Sequence, residues 1–139
     1  MFTINGIDWN LRLVGSHSPM LMRSDGTYTF GMTDRNTRDI YISNMIHGNF
    51  YDRVLCHELC HAFCLSYNLT MDIQTEEIVA DFLATYGREV FALADELSAL
   101  SGVKLPQAVE TIRTAPVLHN RVVDAPDMPK AVKDILGIR

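Results

Sequence analysis

Two histidines and an acid stand in one short run, His57-Glu58-Leu59-Cys60-His61. On a helix, residues four apart lie one turn above each other on the same face, so both imidazoles can reach a single ion. Imidazole nitrogens suit zinc, and a hydrolytic zinc site takes three protein ligands and keeps one position for water. Glu58 projects about 100 degrees around from His57 on an ideal helix, so it can flank such an ion without occupying it. A carboxylate there can take a proton from an attacking water and pass it to a leaving amine. That is the chemistry of metal-assisted hydrolysis. Because so short a pattern also arises by chance, the surrounding elements must decide the reading.

The third ligand is expected from an acidic stretch downstream, where Glu76, Glu77 and Asp81 are the candidates. Glu77 and Asp81 are four apart and share a helix face. One can bind the ion while the other holds a ligating imidazole through its distal N–H, fixing the ring's tautomer. Glu76, in the next column, is the substitute ligand. Ile78, Val79 and Phe82 lie beside these acids and predict that the stretch is partly buried.

The elements that position these groups follow from periodicity. Asn10 to Leu13 alternates polar and apolar residues. Met20 to Arg23 and Thr27 to Thr33 flank Ser24-Asp25-Gly26, which predicts a hairpin. Asp34 to Arg38 forms a second polar turn before Asp39-Ile40-Tyr41-Ile42-Ser43-Asn44, another strand. Tyr51 to Ser66 is helical, with Leu55, Leu59, Ala62 and Phe63 at three- and four-residue intervals and Asn49 or Asp52 as its cap. A second helix is expected from about Thr75 to Leu100, stopped by Ser101-Gly102, with Gly87 a point of interruption. Pro106 opens a short helix through Ile112, Pro116, Pro126 and Pro129 punctuate the tail, and a last helix runs from Lys130 to Leu136. The chain reads as one α+β domain over 1–139: a β region over 1–45, two metal-binding helices over 50–101 and a helical tail over 102–139. The expected core is a small, mostly antiparallel sheet packed on the metal helix and the acidic helix.

Composition sets the outer bounds. A net charge of −5 without a block of like charges argues against a dedicated nucleic-acid binder. No run approaches the roughly 18 apolar residues of a membrane span, and the first residues lack the pattern of a secretory signal. The three cysteines, Cys56, Cys60 and Cys64, lie at four-residue spacing. They fit a reducing cytoplasm and read as compact core residues rather than as extra ligands or a redox switch. His119, Tyr67 and Tyr86 are candidates to stabilise an oxyanion, while His17 and His47 read as solvated loop residues and Trp9 as a core residue.

Val54-Leu55-Cys56-His57-Glu58-Leu59-Cys60-His61-Ala62-Phe63, followed by Glu77-Ile78-Val79-Ala80-Asp81-Phe82-Leu83-Ala84, resembles the ImmA/IrrE family of metallopeptidases, a gluzincin-like group. The resemblance spans roughly residues 39 to 90, with Cys60 standing where the family usually has Gly. It implies a minimal zincin-like fold, with His57, His61 and Glu77 as zinc ligands, Glu58 as general base and Asp81 as the carboxylate behind His57. Ile40 to Asn44 resembles the edge strand along which zincin-type peptidases align an extended substrate. The implied activity is hydrolysis of a peptide bond in a protein, such as a repressor of a phage or other mobile element. The alternative from a different class is a non-catalytic zinc-binding interaction module, and a further one is a metal hydrolase acting on a non-peptide amide.

Overall fold

The computed structural model describes residues 1–102, and they form an α+β fold. Strands β1 (Phe2–Ile4) and β2 (Ile7–Val14) are joined by Asn5-Gly6, which has φ of 49 and 73 degrees. Positive φ at both central residues is what a two-residue hairpin turn needs, and Asn-Gly adopts it at little cost. Asn5 also donates from Nδ2 to the carbonyl of Ser66 at 2.9 Å, tying this turn to a helix end far along the chain.

The hairpin expected around Ser24-Asp25-Gly26 shrinks to one isolated bridge, Met22 with Tyr28. Two local causes compete with strand pairing. Pro19 opens a 3-10 turn, Pro19–Leu21, capped by the Ser18 hydroxyl, and Asp25 Oδ1 accepts from both the amide and the hydroxyl of Thr27 at 2.9 and 2.6 Å. The strand that does form is β3 (Gly31–Asp34). Asp34 Oδ1 then accepts from the Asn36 amide at 2.8 Å, and the turn reverses the chain into β4 (Asp39–Ser43).

Sheet order is β1-β2-β4-β3. The outer pairings are antiparallel and the central one, β2 with β4, is parallel. β4 therefore lies inside the sheet. This corrects the assignment of Ile40 to Asn44 as a substrate-binding edge: the turn at 34–38 lays β3 over that side, so β3 is the edge strand. Ile40 and Ile42 are fully buried, and with Ile4, Trp9, Ile46 and Ala62 they make the core between sheet and helix. Burying an isoleucine contributes about 1.5–3 kcal/mol. Trp9 completes this core by donating from Nε1 to the Ser66 hydroxyl at 2.8 Å.

Helix α1 (Gly48–Ser66) starts three residues earlier than its periodicity implies, and its N-cap, His47, makes no side-chain capping bond. Neither Asn49 nor Asp52 caps it, and Asp52 instead accepts from Arg88 at 2.6 Å. Helix α2 (Ile73–Leu100) is capped by Asp72, whose carboxylate accepts from the Thr75 amide and hydroxyl. Gly87 does not interrupt α2. A helix ladder needs no side chain, and one glycine costs about 1 kcal/mol against the 28 residues of that helix. The α1–α2 contact is built from small groups: Cys60, Cys64 and Ala80 are buried together, with Leu69, Met71 and Val79 around them. Two of the three cysteines thus pack as core residues, and Cys56 is half-buried. Ile78 and Phe82 are 68% and 55% exposed, so the burial expected beside the acids lies instead at Val79 and Ala80. Among the described residues, no helix is long and apolar enough to cross a membrane. The two tail helices and His119 fall outside the described residues.

One acid anchors the sheet interior. Burial pushes the Asp39 carboxyl up, but bonds from Arg12 at 2.8 Å and from Thr37, Asn10 and Tyr41 outweigh it and hold the group below its ordinary range. Its ionised form is favoured in the folded state, so the stabilisation is complete above the usual carboxylate range and fades as pH falls through the lowered value. Asp39→Ala is expected to reduce stability by about 1–2 kcal/mol at neutral pH. Urea unfolding repeated at acidic pH should show the gap between variant and parent closing.

Candidate metal centre

Helix α1 presents His57 and His61 one turn apart, and α2 runs back alongside so that its acidic first turns face them. The small contact residues allow this approach: with Cys60 and Ala80 between the helices, the carboxylates reach the rings. His57 Nδ1 lies 2.9 Å from Asp81 Oδ1, and His61 Nδ1 lies 2.6 Å from Glu76 Oε1. Ionised carboxylates only accept hydrogen bonds, so each Nδ1 carries the proton and donates it. In the neutral rings each Nε2 is then left with a lone pair.

Those two lone-pair atoms converge. His57 Nε2 and His61 Nε2 are 3.1 Å apart. Glu77 closes the triangle, its Oε2 at 3.2 Å from His57 Nε2 and its Oε1 at 3.3 Å from His61 Nε2. Electron-rich atoms this close, with no proton between them, repel one another unless a cation sits among them. Metal bonds of about 2.0–2.1 Å in a tetrahedron put neighbouring ligand atoms about 3.3 Å apart, close to the 3.1 Å between the two Nε2 atoms, and Glu77 sets one oxygen beside each ring. His57, His61 and Glu77 could accordingly hold a metal ion. Glu76 is brought to the other nitrogen of His61 rather than into the triangle, and Asp81 stands behind His57.

Without an ion, proton binding is the competing way to relieve the repulsion. Burial depresses the His61 pKa, but the Glu76 hydrogen bond and the charges of Glu58, Glu77 and Glu76 outweigh it, so the ring titrates above its ordinary value. Cys60 offers no competing thiolate. Its hydrogen bond with Cys64, then burial, keep its thiol protonated far above the ordinary range.

Glu58 is 7% exposed and faces the sheet beside this triangle. The Thr33 hydroxyl lies 2.7 Å from Glu58 Oε2 and 3.0 Å from the Glu58 carbonyl, so its one hydrogen holds the side chain against its own helix turn. Burial raises the Glu58 pKa and is only partly offset by Thr33, His57 and His61. A raised carboxylate is closer to the range in which a general base works at neutral pH. Gly31 makes room for it: a Cβ there would sit 2.8 Å from Glu58 Cγ and Oε1 and 2.7 Å from Val54 Cγ1. Neither Gly31 nor Thr33 carries a sequence signal for this role, since each meets Glu58 only through the docking of β3 on α1.

The triangle and Glu58 open into a cleft of about 390 Å³ between β3 and the two helices. Its helix wall includes Glu76, Glu77, Leu65 and Ile73, and its sheet wall includes Met32, Thr33, Arg23 and Arg35. Tyr67 packs against the sheet-side core and Tyr86 lies against Phe82, so neither lines the cleft. His17 stacks edge-on with Tyr28, and His47 is the exposed start of α1.

Elemental analysis and calorimetry should show one divalent transition ion per chain, with Glu77→Ala weakening binding by at least about tenfold. Ligating imidazoles must be deprotonated, so affinity should fall as pH drops through the raised His61 value. Separately, Gly31→Val should cost about 1–3 kcal/mol of stability by overpacking against Val54 and Glu58, read by thermal or urea unfolding.

No protein-family model, no curated protein and no solved structure matches this chain.

Proposed function

We propose that this protein is a zinc-dependent peptidase that hydrolyses a peptide bond in a protein substrate. The observation that carries this reading is the pairing of a three-residue ligand group, His57, His61 and Glu77, with a buried carboxylate, Glu58, that is not part of it. A structural zinc site closes its coordination with four protein ligands and has no use for a neighbouring base, whereas a hydrolytic one uses three and a water. Two imidazole nitrogens and a carboxylate are a donor set that suits zinc.

Zinc bound there would supply a Lewis acid that polarises the scissile carbonyl and lowers the pKa of a water. The chain's own residues do the rest. Asp81 and Glu76 hold the two rings with their Nε2 atoms inward. Glu58, steadied by Thr33, takes the proton from the attacking water and returns it to the leaving amine. β3, the sheet edge beside Glu58, offers main-chain groups to an extended substrate, which strand addition would align across the cleft. The three free thiols favour a reducing compartment such as the cytoplasm. A regulatory protein of a phage or mobile element is the substrate implied by the family resemblance.

Glu58→Gln keeps shape while removing the base. Cleavage of a substrate found by proteomic comparison should fall by at least about a hundredfold, while metal analysis shows zinc still bound. Unchanged cleavage would refute the role of Glu58. The rival, a non-catalytic zinc module, requires a fourth protein ligand, which X-ray absorption spectroscopy of the zinc-loaded protein would detect.

A further inference from the structure

The cleft is electrically divided. Its helix wall carries the acids of the metal centre, and its sheet wall carries Arg23 and Arg35. Among the described residues the arginine ion pairs are those of Arg12 and Arg88, so neither cleft arginine is held in an ion pair. Arg23 donates from Nη2 to the Thr29 hydroxyl at 3.4 Å, and Thr29 also lines the cleft. Asp25, on the same turn as Arg23, accepts from Thr27 and feels the Arg23 charge more weakly than those bonds, without forming an ion pair with it.

The two cations bracket β3. Thr29, which Arg23 meets, stands two residues before Gly31, and Arg35 directly follows Asp34. From Gly31 to Asp34 an extended strand rises about 10 Å. A peptide laid along this edge passes one guanidinium near each end of β3, with Glu58 and the ligand triangle facing the stretch between. A chain of net charge −5 with an acidic metal centre would otherwise repel anionic peptides. Permanent cations on the opposite wall, within a cleft that concentrates their field, reverse that preference locally.

We propose that Arg23 and Arg35 form two carboxylate-recognising positions, one on each side of the scissile bond, so that the substrate is a segment with Asp or Glu on both sides of the cleavage point. This rests on the peptidase reading for where the bond lies, while recognition of the carboxylates stands on the cleft itself. A guanidinium takes a carboxylate through two parallel N–H bonds, a match that the corresponding amide side chain lacks in charge and in geometry.

Two measurements test this. The first is cleavage of a randomised peptide library by the zinc-loaded full chain. The second is binding of fluorescent peptides to zinc-loaded Glu58→Gln, using one backbone with Asp or Glu, Asn or Gln, or Lys at the flanking positions. Acidic peptides should bind about tenfold more tightly than their amides at each position. Arg23→Gln should erase the preference on one side and Arg35→Gln on the other, each leaving the opposite side intact. Arg35→Glu should select Lys on its side alone, and the surviving preference on the Arg23 side certifies that the variant is folded. Equal handling of acidic and amide peptides, or an acid preference untouched by these substitutions, overturns the proposal. Cleavage without acid preference would leave the peptidase standing and remove this inference. Arginine-dependent binding of acidic peptides without any cleavage would do the reverse.

Discussion

The hydrogen bonds from His57 Nδ1 to Asp81 and from His61 Nδ1 to Glu76 decide where every other group in the centre can act. Each commits one nitrogen to a carboxylate and turns the other, with its lone pair, toward Glu77. The arrangement is unfavourable by itself and becomes favourable around a positive charge. Stabilisation that the apo chain lacks is therefore reserved for a cation. Because two of the donors belong to α1 and the third to α2, occupancy would also brace a helix pair otherwise joined largely through small side chains.

The sheet contributes position rather than ligands. β3 reaches α1 closely only because Gly31 has no side chain, and that approach lets Thr33 fix Glu58. Burial by the same strand raises the carboxylate's pKa. One packing decision thus controls the orientation of this acid, its proton affinity and the shape of the cleft wall. The buried Asp39 carboxylate, by contrast, ties β4 to β2 through Arg12 and accepts from Tyr41 on its own strand.

Local signals in the sequence carry much of this. Both long helices are visible as periodic runs, and β4 as a β-branched, aromatic segment. The four-residue spacings within His57–His61 and Glu77–Asp81 place these side chains on common helix faces through helical periodicity alone. Pairing is not legible in this way. Nothing near Asn10 or Ile40 announces that β2 and β4 run parallel, and that single non-local choice turns the expected edge strand into an interior one. The contacts of Gly31 and Thr33 with Glu58 are of the same kind. The Asn5-Gly6 dipeptide, by contrast, carries its turn signal locally, in the two residue types that tolerate positive φ. On α2, Ile78 and Phe82 show why apolar neighbours are a poor guide to burial: the inward face is fixed by Cys60 and Cys64 meeting Ala80.

The chain's one tryptophan lies where the sheet meets the last turn of α1, its indole N–H bonded to Ser66. Its emission is thereby a built-in gauge of whether that seam is closed. It is buried in the sheet-side cluster, whereas α2 packs through the other one, so a loosening of α2 from α1 would leave the indole in its apolar surroundings. Far-ultraviolet dichroism, which sees both helices, and tryptophan fluorescence, which sees one seam, would then melt apart. The same protein can in this way distinguish opening of its helix pair from dissolution of its core.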